Sequence, residues 1–148
     1  MDIQNLQEAE ILLWMCFKNC KEYENFKQAE DCWLKYASTI HNNLFTLDKI
    51  FKSLQEKTIL ENIPLESSKK LNSQNYTKTF TEGINKLTAF VQQSNYYKND
   101  IILYKHHIIP HIKSIRTVFF NFATFFNGRE IIPKPLKKRK TCCCFTYN

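Results

Sequence analysis

Apolar residues return at alternating steps of three and four from the first turn of the chain: Leu6, Ala9, Leu13, Cys16, Cys20 and Tyr23, then, after one skipped step, Phe26, Ala29, Trp33, Tyr36 and Ile40. This spacing keeps one face of an α-helix apolar, so it predicts a long amphipathic helix with a stammer, for which Asp2 is the expected N-cap and Glu8 and Glu10 the favourable early charges. The stripe runs on through Leu44, Leu47, Phe51 and Leu54, but Ser38, Thr39, Asn42 and Asn43 interrupt it with side chains that compete for backbone hydrogen bonds. We place a helix boundary there, with a second helix ending near Lys57. The segment 61–73, with Pro64, Ser67, Ser68, Asn72 and Ser73, reads as a polar connection. A third helix is predicted over 74–93, with Phe80, Ile84, Leu87 and Val91 on one face and Gly83 as a weak point. After a break at Ser94, Asn95 and Asn99, a fourth carries Ile101, Tyr104, Ile108, Ile112, Ile115, Phe119, Phe122 and Phe126, kinked at Pro110 and capped at Asn127-Gly128.

Composition narrows the fold further. Gly83 and Gly128 are the only glycines, and Pro64, Pro110, Pro133 and Pro135 the only prolines, so the tight turns of an all-β or doubly wound fold have little to be made from. At 148 residues the chain suits one domain. The expected architecture is all-α: a single up-down bundle of about four amphipathic helices over residues 1–132, followed by a basic, cysteine-rich tail over 133–148.

Charge is concentrated in that tail. Of the formal net charge of +7, five charges come from Lys134, Lys137, Lys138, Arg139 and Lys140, which leaves the body close to neutral. A protein that coats nucleic acid spreads its basic excess over a folded face, so this placement argues against a large nucleic-acid surface. The polar, acidic start, Met1-Asp2-Ile3-Gln4-Asn5, does not resemble a secretory signal, and the longest apolar run, 11–17, is too short to span a bilayer. Cytosolic synthesis is expected, with all six cysteines made reduced.

The tail also carries the plainest chemistry. Lys137-Lys138-Arg139-Lys140 runs into Thr141 and then Cys142-Cys143-Cys144. Thioester-linked acyl chains on such cysteines insert into a bilayer while the cations sit over anionic headgroups, and the two signals together anchor stably. A prenyl box ends the chain on its Cys-a-a-X, whereas Phe145, Thr146, Tyr147 and Asn148 follow Cys144. The tail resembles the lipidated end of small GTPases, and the likeness is confined to the tail, because the glycine count leaves no phosphate-binding loop upstream. The competing reading of the same run is a nuclear import signal or a phosphate-contacting tail on a nuclear complex subunit.

Other constellations are weaker. Phe119, Phe122 and Phe126 lie on the fourth helix's stripe but Phe120 and Phe125 do not, so these two, with Tyr96 and Tyr97, are the expected contacts with a protein partner. Cys16 with Cys20 and His107 with His111 each stand four apart on a helix, the spacing from which a tetrahedral Cys2His2 metal site could be assembled. Core packing is the simpler role for these cysteines, and we expect no cofactor. His106, His107 and His111 beside Lys105, Lys113 and Arg116 read as a solvated face. There is no nucleophile elbow, phosphate-cradling loop or His-Glu-x-x-His. The expected function is therefore that of a non-enzymatic helical adaptor held at the cytosolic face of a membrane, binding a protein partner, with heptad rhythm that also allows homo-oligomers.

Overall fold

The first helix ends well before the polar cluster at 38–43. In the computed structural model, which describes residues 3–51 and 69–126, α1 spans Gln4–Asn19 and α2 spans Tyr23–Ile50. The boundary expected at Ser38–Asn43 is thus displaced to the short turn at 20–22, and α2 runs through Ser38, Thr39, Asn42 and Asn43 without a break. The chain reverses at 20–22, so the apolar rhythm belongs to two helices and not to one helix with a stammer, and the skipped step between Tyr23 and Phe26 falls just inside α2. Leu54 and Lys57 lie outside the described residues, as do Asp2 and the expected cap at Asn127-Gly128.

The later elements fall close to their expected positions. α3 spans Ser73–Gln93, opened by a capping box in which the Asn72 side chain accepts from Gln74 and Asn75 while Asn75 answers the Asn72 N–H. A 3-10 turn at Ser94–Tyr97 follows, then a single turn α4 (Ile101–Leu103), a π-helical turn at Tyr104–Ile108, and α5 (Ile109–Phe125). Proline lacks an N–H to donate, and its ring collides with the carbonyl four residues back. The wide turn immediately before Pro110 accommodates both effects, at the place where the sequence predicts a kink.

The four long helices make an all-α bundle, and no strand occurs among the described residues. Cross-helix contacts fix the directions. α1 runs antiparallel to α3, with Tyr76 Oη donating to the Cys16 carbonyl at 2.7 Å and Lys86 paired to Glu8 at 2.6 Å. α1 runs parallel to α5: Glu10 meets His111, Trp14 meets Ser114, and Phe17 meets Phe122. α2 runs parallel to α3 through Cys32 with Thr77, Tyr36 with Thr81, and Asn43 with Thr88, all three pairs separated by 45 residues in sequence. The order is therefore up, down, down, up. Phe51 and Lys69 lie at opposite ends of a bundle that α2 alone makes roughly 40 Å long.

That parallel pairing explains the polar residues of α2. Asn43, one of the supposed breakers, is buried and donates to Thr88 Oγ1 at 3.0 Å. Its neighbours in the ladder, Tyr36 and Cys32, use Thr81 and Thr77. The returning chain is pinned at the α1–α2 turn, where Asn19 donates to the Lys69 carbonyl and accepts from the Leu71 N–H, and Asn25 donates to the Leu71 carbonyl at 2.8 Å. Gly83 is also accounted for: a Cβ there would stand 3.0 Å from Leu13 Cγ and Cδ2, so its absence permits the close approach of α1 and α3.

The core is aromatic at its centre. Phe122 of α5 is fully buried and meets a ring from each other long helix: Phe17 of α1 edge-on at 5.2 Å, Trp33 of α2 stacked at 5.5 Å, and Phe80 of α3 at 5.5 Å. Phe122→Ala should lower the unfolding free energy by about 3–5 kcal/mol, the cost of an uncollapsed aromatic cavity. Urea denaturation checks this; a loss below about 1 kcal/mol, typical of a surface site, would contradict the packing.

Candidate protein-interaction site

α1 and α3, α2 and α3, and α1 and α5 approach closely along their backbones, whereas α2 and α5 are bridged by long side chains. Trp33 stacks with Phe122 and lies 6.2 Å from Phe119, Phe26 meets Phe125 and Phe126, and Arg116 Nη2 donates to Asp48 Oδ1 at 2.5 Å. Between them opens a cleft of about 250 Å³, walled by His41, Leu44, Phe45 and Asp48 of α2 and by Arg116, Phe119 and Phe120 of α5. Phe45 is 56% exposed and Phe120 54%, large values for phenylalanine on opposite rims of one groove. Leu34, also exposed, stands seven residues before His41 and eleven before Phe45, so it extends the same flank of α2.

The rim is basic beyond its apolar floor. Lys49 Nζ sits 5.3 Å above the Phe45 ring, and Lys113, seven residues before Phe120, shares that residue's side of α5. The buried-side charges are matched, with the Arg116–Asp48 pair closing one end of the cleft.

The structure divides the partner contacts expected from sequence. Phe120 and Tyr96 are exposed as expected. Tyr97 is buried and stacks on Phe90 at 5.8 Å, and Phe125 is half-buried among Phe17, Phe26 and Phe126, so both are packing residues. Phe45 is not among the contacts expected from sequence, because the stripe of Leu44, Leu47 and Phe51 accounts for that segment without it. It lies next in sequence to Leu44 of that stripe, so its position off the stripe was the available signal.

The cysteine and histidine pairs are not brought together. Cys16 and Cys20 are fully buried in the core, whereas His106 and His107 are exposed. His111 is half-buried, and its Nδ1 bonds to the buried Glu10 at 2.6 Å, which removes it from the solvated face expected for it. Among the described residues no three His, Cys, Asp or Glu side chains are grouped to hold a metal ion. Glu10, His111 and Ser114 supply the residue types of a hydrolytic triad without its geometry: Ser114 is buried and its Oγ accepts from Trp14 Nε1 at 2.8 Å. Their observed work is to hold α1 to α5. A shallow depression between α1 and α3, lined by Glu8, Ile11, Leu12, Glu82 and Lys86, has its cation already paired to Glu8.

No helix among the described residues is long and apolar enough to cross a membrane. Cys142, Cys143, Cys144, Lys134, Lys137, Lys138, Arg139 and Lys140 lie outside the described residues. The chain matches no protein-family model, no curated protein and no solved structure.

The core thiols are chemically quiet. Burial disfavours the thiolate, pushing Cys20 up to about 12 and raising Cys16 and Cys32 as well; burial likewise raises Tyr76. With Cys142, Cys143 and Cys144 changed to Ser, the native chain should show no fast-reacting thiol toward a disulfide reagent at pH 8, and three after denaturation. A raised folded pKa means that this stability is fully present below the unfolded thiol value, about 8.5, and is lost as pH rises toward the folded one. The urea midpoint should therefore fall between pH 8 and pH 11. A fast thiol in the native Ser variant, or a midpoint that is flat across this range, would contradict the burial.

Proposed function

We propose that the chain is a non-enzymatic helical adaptor, carried on the cytosolic face of a membrane by S-acylation of Cys142, Cys143 and Cys144 and by Lys134, Lys137, Lys138, Arg139 and Lys140 over anionic headgroups. The observation that carries the reading is the adjacency of a basic run to consecutive cysteines. The quiet core supports it: Cys16, Cys20 and Cys32 are buried with raised pKa values, so the tail thiols are the acyl acceptors left in the chain.

The adaptor's working surface is the α2–α5 groove, and its occupant is an amphipathic helix of a partner protein. Two antiparallel helices held apart by side chains offer a trough for a third, with Phe45 and Phe120 on its rims as the apolar anchors. Lys49 and Lys113 select acidic residues flanking that helix's apolar face.

Fractionation of cells expressing N-terminally tagged protein tests both halves. The natural chain should sediment with membranes, and the Cys142→Ser, Cys143→Ser, Cys144→Ser variant should be released. In the same cells, a photoreactive residue at position 45 should yield an adduct whose crosslinked peptide is an acidic amphipathic helix, lost when Phe120→Asp is added. Identical distributions of both chains, soluble or nuclear, would overturn the tether and leave the basic run as an import signal. A self-adduct would replace the partner helix by a second copy of this chain.

A further inference from the structure

The two ends of the bundle both display aromatic and basic residues, but only one lies where the chain leaves for its tail. α5 is capped by Phe126, whose ring packs with Phe26 and Phe125 beside the α1–α2 turn. At that turn Tyr23 is 96% exposed and Phe26 41% exposed. Around them stand the exposed lysines Lys18, Lys21, Lys69 and Lys70, with Lys21 Nζ 5.8 Å above the Phe125 ring. The nearest carboxylates are Glu22, paired with Lys70 at 3.5 Å, and Glu24, while Glu30 and Asp31, further along α2, are both paired to Lys27, so Lys18, Lys21 and Lys69 leave cations in excess. An aromatic side chain set among lysines is the composition that settles at the headgroup level of a bilayer.

We propose that this end, centred on Tyr23 and Phe26, is a second membrane contact that docks the bundle end-on onto an anionic lipid surface. The proposal rests on the tethered reading above and gives it a geometry. The opposite end offers Tyr96, 82% exposed, with Ile102, Lys98, Lys105, His106 and His107, a comparable mixture. Chain length favours the end that carries Tyr23. Lys134 stands eight residues after Phe126, a span of at most about 29 Å even when fully extended. With the far end on the bilayer, Phe126 would be held roughly 40 Å away, and the basic run could not lie in the headgroup layer from its first lysine. With the near end down, all five tail cations reach it. The α2–α5 groove then stands upright, with Phe45 and Phe120 raised above the surface and open to a partner.

The test tethers the full chain to vesicles by coupling its reactive tail thiols to a maleimide headgroup lipid, so that the outcome does not depend on acylation in cells. Tyr23→Trp and Tyr96→Trp serve as reporters over Trp14 and Trp33, which are buried and remain a constant background. On phosphatidylserine-rich vesicles with brominated acyl chains, the Tyr23→Trp emission should shift to the blue and be quenched, and the Tyr96→Trp emission should not. Phosphatidylcholine alone should give neither response. Adding Lys18→Glu, Lys21→Glu and Lys69→Glu should reduce the fraction of Tyr23→Trp chains quenched by about tenfold or more. A silent Tyr23→Trp on tethered, phosphatidylserine-rich vesicles would overturn the docking surface while the cell fractionation still stands. Quenching of Tyr96→Trp, alone or together with Tyr23→Trp, would overturn the end-on arrangement.

Discussion

One ring holds the arrangement together. Phe122 is the place where a side chain of every long helix meets, and no two of the contacts can be moved independently: Phe17, Trp33 and Phe80 each reach it from a different helix. Aromatic pairs of this kind contribute about 0.5–1.5 kcal/mol each beyond the area they bury. Their larger effect here is on registry. With Phe122 fixed, α5 lies parallel to α1, and the Trp14–Ser114 and Glu10–His111 bonds fall into place above it. The ladder of Cys32, Tyr36 and Asn43 against threonines then sets α2 parallel to α3.

That order has a consequence for where surfaces arise. A parallel α2–α3 pair joined by a polar ladder, and an α1–α3 pair brought together at Gly83, draw the backbones tight on two sides of the bundle. The size of Trp33, Phe119 and Phe122 keeps α2 and α5 apart on a third. The exposed phenylalanines sit on that side, so the groove follows from the same large side chains that build the core. The two kinds of cysteine are separated in the same way. Three are enclosed by the aromatic core, where burial disfavours the thiolate, while Cys142, Cys143 and Cys144 follow the basic run.

Much of this was legible in the sequence, for physical reasons that differ between segments. α3 is placed within a residue, and the run from Ile101 to Phe125 is expected as one helix where the structure has α4, the π-helical turn and α5, because these stripes are bounded by strong local signals: Asn72-Ser73 at one end, Ser94-Asn95 at another, and Pro110 inside the last. The α1–α2 turn was missed because it contains neither glycine nor proline, and because Cys20 and Tyr23 continue an apolar rhythm across it. What closes it are the buried amides of Asn19 and Asn25: Asn25 donates to the Asn19 carbonyl across the turn, and the two side chains bond to the returning chain 46 to 52 residues on, contacts that no apolar rhythm announces. The opposite error was made at 38–43, where residues that destabilise an isolated helix are recruited by a neighbouring one. Of the partner contacts, Phe120 followed from helical phase. Phe125 and Tyr97 did not, since only tertiary packing tells an off-stripe aromatic that finds a ring from one that does not.

The most direct test of this account is native-state hydrogen exchange, because a single aromatic junction shared by all four helices makes them one cooperative unit. Amides near Phe17 in α1, Trp33 in α2, Phe80 in α3 and Phe122 in α5 should exchange with one common free energy, equal to that of global unfolding. Exchange of the α1 and α2 amides at a clearly lower free energy than those of α3 and α5 would contradict it, and would show two helical pairs that merely touch.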